Sequence, residues 1–291
     1  MKHEYVAEAR KNALQDMVSQ ISSRVSSTSV LHTIEDAWGV SESYSERIEI
    51  ESHGYLEGFE PVDYYESEGQ YWVYYKIRKD IYRENEIKRR DKAVESALSK
   101  YRSAVSEAEA GHPFWAITHC LEGLEALKGF LGKDLKVETA EGTIDLGNEL
   151  LDLLNDVVAG LSLTALDERV EVKRGSSLSK PLVFRVTYQG EPVSGIPVNL
   201  RYSGGYLRSG YRMTNEQGRV SVMPPTITSG KSRESLEAAV DHRAIAADAV
   251  SDLFIRSILR NIPAAEAASD IDITSPVLAV QVSSAEQLPG Y

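Results

Sequence analysis

Along residues 81–165, the hydrophobic residues of this chain recur at every third or fourth position, and near Asp167 their spacing changes to every second position. Before that point, long stretches carry apolar residues at i, i+3 and i+4, a pattern typical of amphipathic helices. After it, short apolar–polar alternations lie between Gly- and Pro-containing turns, a pattern typical of antiparallel strands. The 291 residues are enough for two domains of roughly 150 residues. The sequence therefore predicts an α+β arrangement followed by a β-sandwich.

The first eighty residues predict a helix packed on a small antiparallel sheet. An apolar stripe runs along residues 3–22 at helical spacing. Between residues 43 and 77 the period becomes two, with Ile48 and Ile50 alternating with acidic residues. The clearest strand, 70–77, reads QYWVYYKI, and aromatic and β-branched residues of this kind fit a pleated, half-buried surface.

Residues 81–165 predict a helical hairpin and a connecting helix. Amphipathic stretches at 82–110 and 114–131 flank Gly111-His112-Pro113, which stops one helix and starts the next. Two helices joined so closely run antiparallel, and this hairpin resembles a single tetratricopeptide unit. A stripe of leucine and valine at 146–161 predicts the connecting helix.

Residues 166–284 predict an Ig-like β-sandwich with an inserted helix, and 285–291 a loose tail. Short strands at regular spacing, separated by turns, are typical of a sandwich. The predicted strands are 170–172, 182–187, 196–200, 219–222 and 276–283. The inserted helix is an amphipathic stretch at 244–262 that ends at Pro263.

Composition limits the classes of protein that this chain can belong to. A hydrophobic share of 42% and a charged share of 26% are ordinary for a folded chain. The net charge of -12 argues against nucleic acid as a partner. No apolar run approaches the roughly 18 residues of a membrane-spanning helix. Cys120 is the sole cysteine, which excludes an internal disulfide framework.

The sequence predicts no catalytic, metal or cofactor site. His112 and His119 stand seven residues apart with Cys120 beside the second, a set that zinc can use. We favour structural roles, because His112 belongs to a turn and Cys120 lies on an apolar stripe. There is no Gly-x-Ser-x-Gly elbow and no phosphate-binding glycine loop between a strand and a helix. The chain is therefore expected not to be an enzyme, with a site dispersed over the fold as the alternative.

Tyrosines cluster in the predicted sheet, where eight of the fifteen lie between residues 44 and 82. Tyr and Trp anchor many interfaces because the ring is apolar and its polar end forms hydrogen bonds. If Trp72 and Tyr74 face the core helix, Tyr71 and Tyr75 face away from it, either as an exposed patch or packed on the helical hairpin. We take Tyr71 and Tyr75 as candidate partner-binding residues.

A second candidate surface lies at 201–212, where arginines and tyrosines alternate around glycines. Its predicted binding residues are Arg201, Tyr202, Tyr206, Arg208, Tyr211 and Arg212. Residues 168–241 carry eleven Lys and Arg against seven Asp and Glu, an excess of +4 that leaves -16 on the rest. Three interpretations stay open: solvated arginines on a hairpin loop, binding of a glycan or polyanion through guanidinium forks and ring stacking, and attraction between neighbouring copies.

Four short segments follow one another in a recognisable order: EARKNAL at 8–14, QI at 20–21, VSS at 25–27 and YWVYY at 71–75. In this order they resemble the LPP-type family of small bacterial outer-membrane lipoproteins, which is related to the N-terminal domain of the flagellar ring protein FlgT. The resemblance implies the periplasmic side of the outer membrane. Members carry a signal peptide, a lipid-attached cysteine and a short strand before this helix, so we expect a longer precursor that can carry a lipid anchor.

Two segments of the β region, 192–198 (PVSGIPV) and 214–220 (TNEQGRV), are similar to bacterial Ig-like modules. This likeness implies a fold and no ligand. Together, these patterns predict a non-enzymatic scaffold or adaptor of the cell envelope that binds envelope proteins or its own copies. A carbohydrate- or peptidoglycan-binding module that uses the arginine and tyrosine loop is the alternative.

Overall fold

The structure is a computed structural model, and it confirms a mixed α+β protein with antiparallel sheets. It describes residues 6–14, 16, 58–67, 70–131, 135–139 and 142–274. The chain forms two compact units: unit 1 is Met1–Gly160 with His242–Pro263, and unit 2 is Leu161–Asp241 with Ala264–Tyr291. The chain therefore leaves unit 1 at Gly160, returns to it at His242 and leaves it again after Pro263.

Unit 1 contains six helices and two β-hairpins among its described residues. They are α1 (residues 6–14), β1 (Phe59–Ser67), β2 (Gln70–Ile77), α2 (Lys79–Glu109), α3 (Pro113–Leu127), β3 (Lys136–Thr139), β4 (Gly142–Asp145), α4 (Leu146–Ala159), α5 (His242–Ala249) and α6 (Leu253–Asn261). The predicted helix at 3–22 is described only at 6–14 and 16, where it is helical, and the strand around Ile48 and Ile50 lies outside the described residues.

The core of unit 1 is built around α3, which packs against α2, α4, α5 and α6. Gly111, at φ +79°, permits the sharp reversal after α2, and Pro113 starts α3 at a position where no backbone donor is needed. Ile117, Leu121 and Leu124 of α3 are fully buried. The predicted helical hairpin is therefore present, while its likeness to a tetratricopeptide unit stays a prediction.

The predicted single helix at 244–262 is two helices, and both belong to unit 1 rather than to unit 2. The break falls before Asp252, whose carboxylate accepts the N–H groups of Phe254 (2.9 Å) and Ile255 (3.1 Å). These bonds satisfy donors that the first turn of a helix leaves open, so Asp252 starts α6 as its N-cap.

Polar contacts fasten the turn between α5 and α6 to the end of α3. The Glu125 carboxylate accepts the N–H groups of Ser251 (3.2 Å) and Asp252 (3.0 Å). Lys128 donates to Asp252 at 3.2 Å. The apolar face of α6 is thereby held in register on α3, with Ile255, Ile258 and Leu259 fully buried.

Unit 2 consists of two sheets. Its strands are β5 (Leu161–Ala165), β6 (Arg169–Lys173), β7 (Leu182–Tyr188), β8 (Glu191–Pro192), β9 (Pro197–Tyr202), β10 (Tyr211–Met213), β11 (Arg219–Val222), β12 (Arg233–Val240) and β13 (Glu266–Thr274). One sheet has the order β10-β9-β12-β13-β6; the other has β11-β7-β5, with β8 on β7. Only β6 and β13 pair in parallel among these strands. Alternate residues of β7 and β12 are buried, as expected for strands with one face on a core.

Thr214 joins the two segments that resemble Ig-like modules. Its buried hydroxyl donates to the carbonyl of Val193 (2.8 Å) and accepts the N–H of Ile196 (2.9 Å). Gly218 follows at φ +68°, and a Cβ there would collide with the carbonyl oxygen of Val186. Hydrogen bonding thus explains the Thr of this motif, and close packing explains its Gly.

Several elements of unit 2 differ from the sequence expectation. The unit begins at Leu161 rather than at 166, because β5 follows α4 directly. β12 reads RESLEAAV, a composition more typical of helices than of strands, and it forms a central strand. The predicted strand at 276–283 and the tail at 285–291 lie outside the described residues.

Candidate recognition surfaces

The structure does not bring together in one site the candidates for metal binding or catalysis, which are His112, His119 and Cys120. His112 Nδ1 lies 2.8 Å from Glu107 Oε2, and His119 Nδ1 lies 2.8 Å from Glu122 Oε2. Cys120 is buried in α3, and this burial raises the pKa of its thiol to about 12, so the thiol is protonated at neutral pH. Within the described ranges, no group of three or more His, Cys, Asp or Glu side chains could hold a metal ion.

The hairpin β1–β2 presents two faces of different character. Directly paired residues of an antiparallel ribbon point to the same side, so the register assigns each side chain to a face. On one face, Tyr64 stacks on Tyr71 with ring centroids 5.7 Å apart. On that same face, Phe59 meets Tyr75 edge-on at 5.2 Å. Tyr71 and Tyr75 are therefore half-buried and engaged within the hairpin.

The other side, here called the aromatic face, consists of Tyr65, Trp72 and Tyr74. These side chains are 64%, 62% and 63% exposed, and Tyr65 lies directly across from Trp72. Trp72 and Tyr74 are thus largely exposed, which does not fit the orientation in which they face the core helix. The alternation of the strand identifies two faces but not which of them is covered, since both are aromatic.

The arginine and tyrosine segment forms the end of β9, the loop 203–210 and β10. Leu207 is buried and anchors the loop, whereas Tyr206 beside it is 84% exposed. The loop is also held by backbone bonds at both ends, from Ser203 N–H to Ser235 O (2.9 Å) and from Leu200 N–H to Gly210 O (2.8 Å). Tyr206 and Arg208 are therefore displayed on an anchored loop.

Tyr202 lies apart from this surface. Its hydroxyl donates to the carboxylate of Glu234, which is 2% exposed on the core side of β12. Burial, together with the hydrogen bond and charge of Glu234, raises the pKa of Tyr202 above its ordinary value. Gly204 covers the pair, and a Cβ at that position would overlap the carboxylate. Glu234 is a buried polar residue that no sequence pattern signalled.

The arginines of the segment point in different directions. Arg201 pairs with the exposed Glu237 of β12. Arg201 and Tyr211 both lie on the outer face of the sheet, because Tyr211 pairs with the exposed Asn199 and Arg201 is two residues from Asn199 along β9. Arg212 lies across from the buried Val198, and its Nη1 donates to the carbonyl of Tyr211 at 3.2 Å. The structure therefore does not gather the six predicted residues into one site.

Part of the basic excess of residues 168–241 is neutralised by β13, which lies outside that segment. Arg233 donates to Asp272 at 2.7 Å, and its Nη1 lies 3.6 Å from Asp270. Arg169 contacts the same two carboxylates at 3.8 and 3.6 Å. The difference in net charge between residues 168–241 and the rest of the chain is therefore smaller on the folded surface than the sequence indicates.

No protein-family model matches this chain, and no curated protein matches its sequence. Among solved structures, the chain is similar to the D0–D1 domain of intimin (17% identity, TM-score 0.24) and to the D00–D0 domain of intimin (15% identity, TM-score 0.23). Each match covers 38% of this chain, and the chain spans less than half of either intimin chain, 46% and 45%. Of the helices described, none is both long and apolar enough to cross a membrane.

Proposed function

We propose that this protein is a non-enzymatic scaffold or adaptor of the bacterial cell envelope, and that it binds a protein partner through the aromatic face of β1–β2. The observation that carries the proposal is the exposure of Tyr65, Trp72 and Tyr74 on one side of a short ribbon. None of the three has a ring contact with another aromatic side chain in the described part of the chain.

Exposed aromatic side chains of this kind support a binding role for two reasons. Each ring offers about 150–250 Å² of surface for burial, and it loses little conformational freedom on binding because it has only two side-chain torsions. Clusters of Trp and Tyr also dominate the energetics of many interfaces. The envelope setting, at the periplasmic side of the outer membrane, is supported by the resemblance of the first eighty residues to LPP-type lipoproteins.

Site-specific photo-crosslinking in the producing bacterium tests this function. A photoreactive phenylalanine analogue at position 74 is expected to give one dominant adduct, which mass spectrometry identifies. Trp72→Ala should reduce that adduct about tenfold or more, because truncating an aromatic anchor typically costs 2 kcal/mol or more. The same analogue at Glu216, on an exposed turn of unit 2, is the control. Absence of an adduct at 74, or an equal one at 216, contradicts the proposal.

Binding of a carbohydrate or peptidoglycan by the loop 203–210 is a second candidate function. It is favoured by Tyr206, the most exposed large hydrophobic side chain among the described residues, with Arg208 two residues away. Tyr206→Ala and Arg208→Ala are expected to lower cosedimentation with peptidoglycan severalfold each, since stacking and a guanidinium hydrogen bond are worth about 1 kcal/mol or more apiece. Glu216→Gln serves as the matched surface control. Unchanged cosedimentation of both loop variants excludes this candidate.

A further inference from the structure

An acidic side chain completes the aromatic face. Asp63 lies directly across from Tyr74, just as Tyr65 lies across from Trp72. Paired residues have Cβ atoms about 5 Å apart, and alternate residues along a strand lie about 7 Å apart, so the four side chains form the corners of one small quadrilateral. The register shift between Pro61 and Asp63 creates this pairing, because the extra residue brings Asp63 opposite Tyr74.

Asp63 has no cationic partner among the described residues. Its Oδ1 accepts the adjacent N–H of Tyr64 at 2.8 Å. The lysine of the hairpin, Lys76, is paired with Glu60 at 3.4 Å. The described hairpin residues hold three acidic side chains and one basic one, so the ribbon carries a net negative charge. The aromatic face therefore combines three free ring surfaces with an uncompensated carboxylate.

We propose that the partner of this face presents a cation, the guanidinium or ammonium group of an arginine- or lysine-bearing segment, and that this group lies between Asp63 and the rings of Tyr65, Trp72 and Tyr74. The inference rests on the proposed function and names its partner class. A cation is attracted by the faces of aromatic rings and forms a charge-assisted hydrogen bond with a carboxylate.

The overall charge favours the same class of partner. A net charge of -12 steers basic segments toward the protein and repels acidic ones. A neutral glycan would also use the rings, and its hydroxyls would donate to Asp63, but it carries no positive charge for the acidic protein to attract. Charge complementarity with Asp63 and with the acidic chain is thus the feature that favours a cationic protein segment over a sugar.

Paired peptides test the inference directly. One peptide carries four arginines spaced by Gly-Ser, and the other carries citrulline, an uncharged isostere, at the same positions. Fluorescence anisotropy with the full chain is expected to show binding at least about tenfold tighter for the arginine peptide. Asp63→Asn and Trp72→Ala should each weaken that binding about fivefold or more, and Trp72→Phe should fall between wild type and Trp72→Ala.

Two matched variants separate this site from general attraction to an acidic protein. Tyr64→Ala removes a tyrosine that is as exposed as Tyr65 but lies on the other face. Glu216→Gln removes one negative charge from a turn of unit 2. Both should keep the affinity within about twofold, whereas attraction that depends on net charge alone would make Glu216→Gln equal to Asp63→Asn.

The outcomes are distinguishable from those of the adaptor proposal. Equal binding of both peptides, or equal effects of Glu216→Gln and Asp63→Asn, overturns the cationic partner. Binding of chitohexaose that is lost in Trp72→Ala, with no preference for arginine over citrulline, overturns it in favour of a glycan. If the adduct at position 74 persists while the peptides do not differ, the adaptor function stands and the partner class is wrong. If the peptides differ as expected but no adduct forms, the site is cation-binding and the adaptor function fails.

Discussion

Replacing His242–Pro263 with an Asn-Gly turn is expected to leave unit 2 folded and to destabilise unit 1 by about 5 kcal/mol or more. Strands β12 and β13 are antiparallel neighbours up to the pair Ala239–Glu266, and Val240 N–H bonds to Ala265 O at 3.0 Å. A two-residue turn can therefore close this hairpin. The replacement removes the apolar cover that α5 and α6 provide for α3: Ile245, Ala246, Phe254, Ile255, Ile258 and Leu259.

Hydrogen exchange measured peptide by peptide checks this result, because it reports on each unit of the same molecule. Peptides from α3 should lose protection, while those from β7 and β12 should keep it. Point variants supply the matched comparison: Ile258→Ala, at a fully buried position, should cost about 2–5 kcal/mol, and Leu253→Ala, at a 68% exposed position, less than about 0.5. Unchanged protection of α3 would show that the inserted helices do not support unit 1.

Phe184→Ala is expected to lower the free energy of unfolding of unit 2 by about 3–5 kcal/mol. Phe184 is fully buried on β7, where it pairs with Val220 of β11 on one side and Ala165 of β5 on the other. Its removal leaves a cavity in the middle of the smaller sheet. Val183→Ala is the control, since Val183 is adjacent in sequence, only partly buried and on the opposite face of the strand.

Urea denaturation followed by far-ultraviolet circular dichroism and by hydrogen exchange of β7 peptides measures this effect. The Val183→Ala variant should lose less than about 1 kcal/mol, because a partly exposed site relaxes more easily. Equal losses in the two variants would mean that the core of unit 2 does not lie on the Phe184 side of β7.

Helices and strands are predicted correctly where two sequence signals agree, the spacing of apolar residues and the residues that end or start an element. Helices α2 and α3 each have an apolar stripe, and between them Gly111 ends one helix and Pro113 starts the next. Strand β7 has both alternation and flanking turns. By contrast, β12 has a helix-forming composition, and only its pairing with β9 and β13 makes it a strand.

Two properties could not be predicted from local sequence: the unit to which a helix belongs, and the face of a strand that is exposed. Both depend on residues far away in sequence. The apolar face of α6 indicates burial, but nothing in that segment indicates α3 as the surface that covers it. Tyr71 and Trp72 are both aromatic, so alternation does not identify the open face of β2. Alternation alone therefore does not predict the aromatic face, and only the strand register places Asp63 on it.

The order of elements also has a consequence for the folding of unit 1. Helix α3 ends at Leu127, yet α6, which covers it, ends at Asn261, 134 residues later. Contacts between α3 and α6 therefore close a long loop that contains the whole first segment of unit 2. Because contacts between distant residues form slowly, the core of unit 1 is expected to be completed only after its two chain segments have come together.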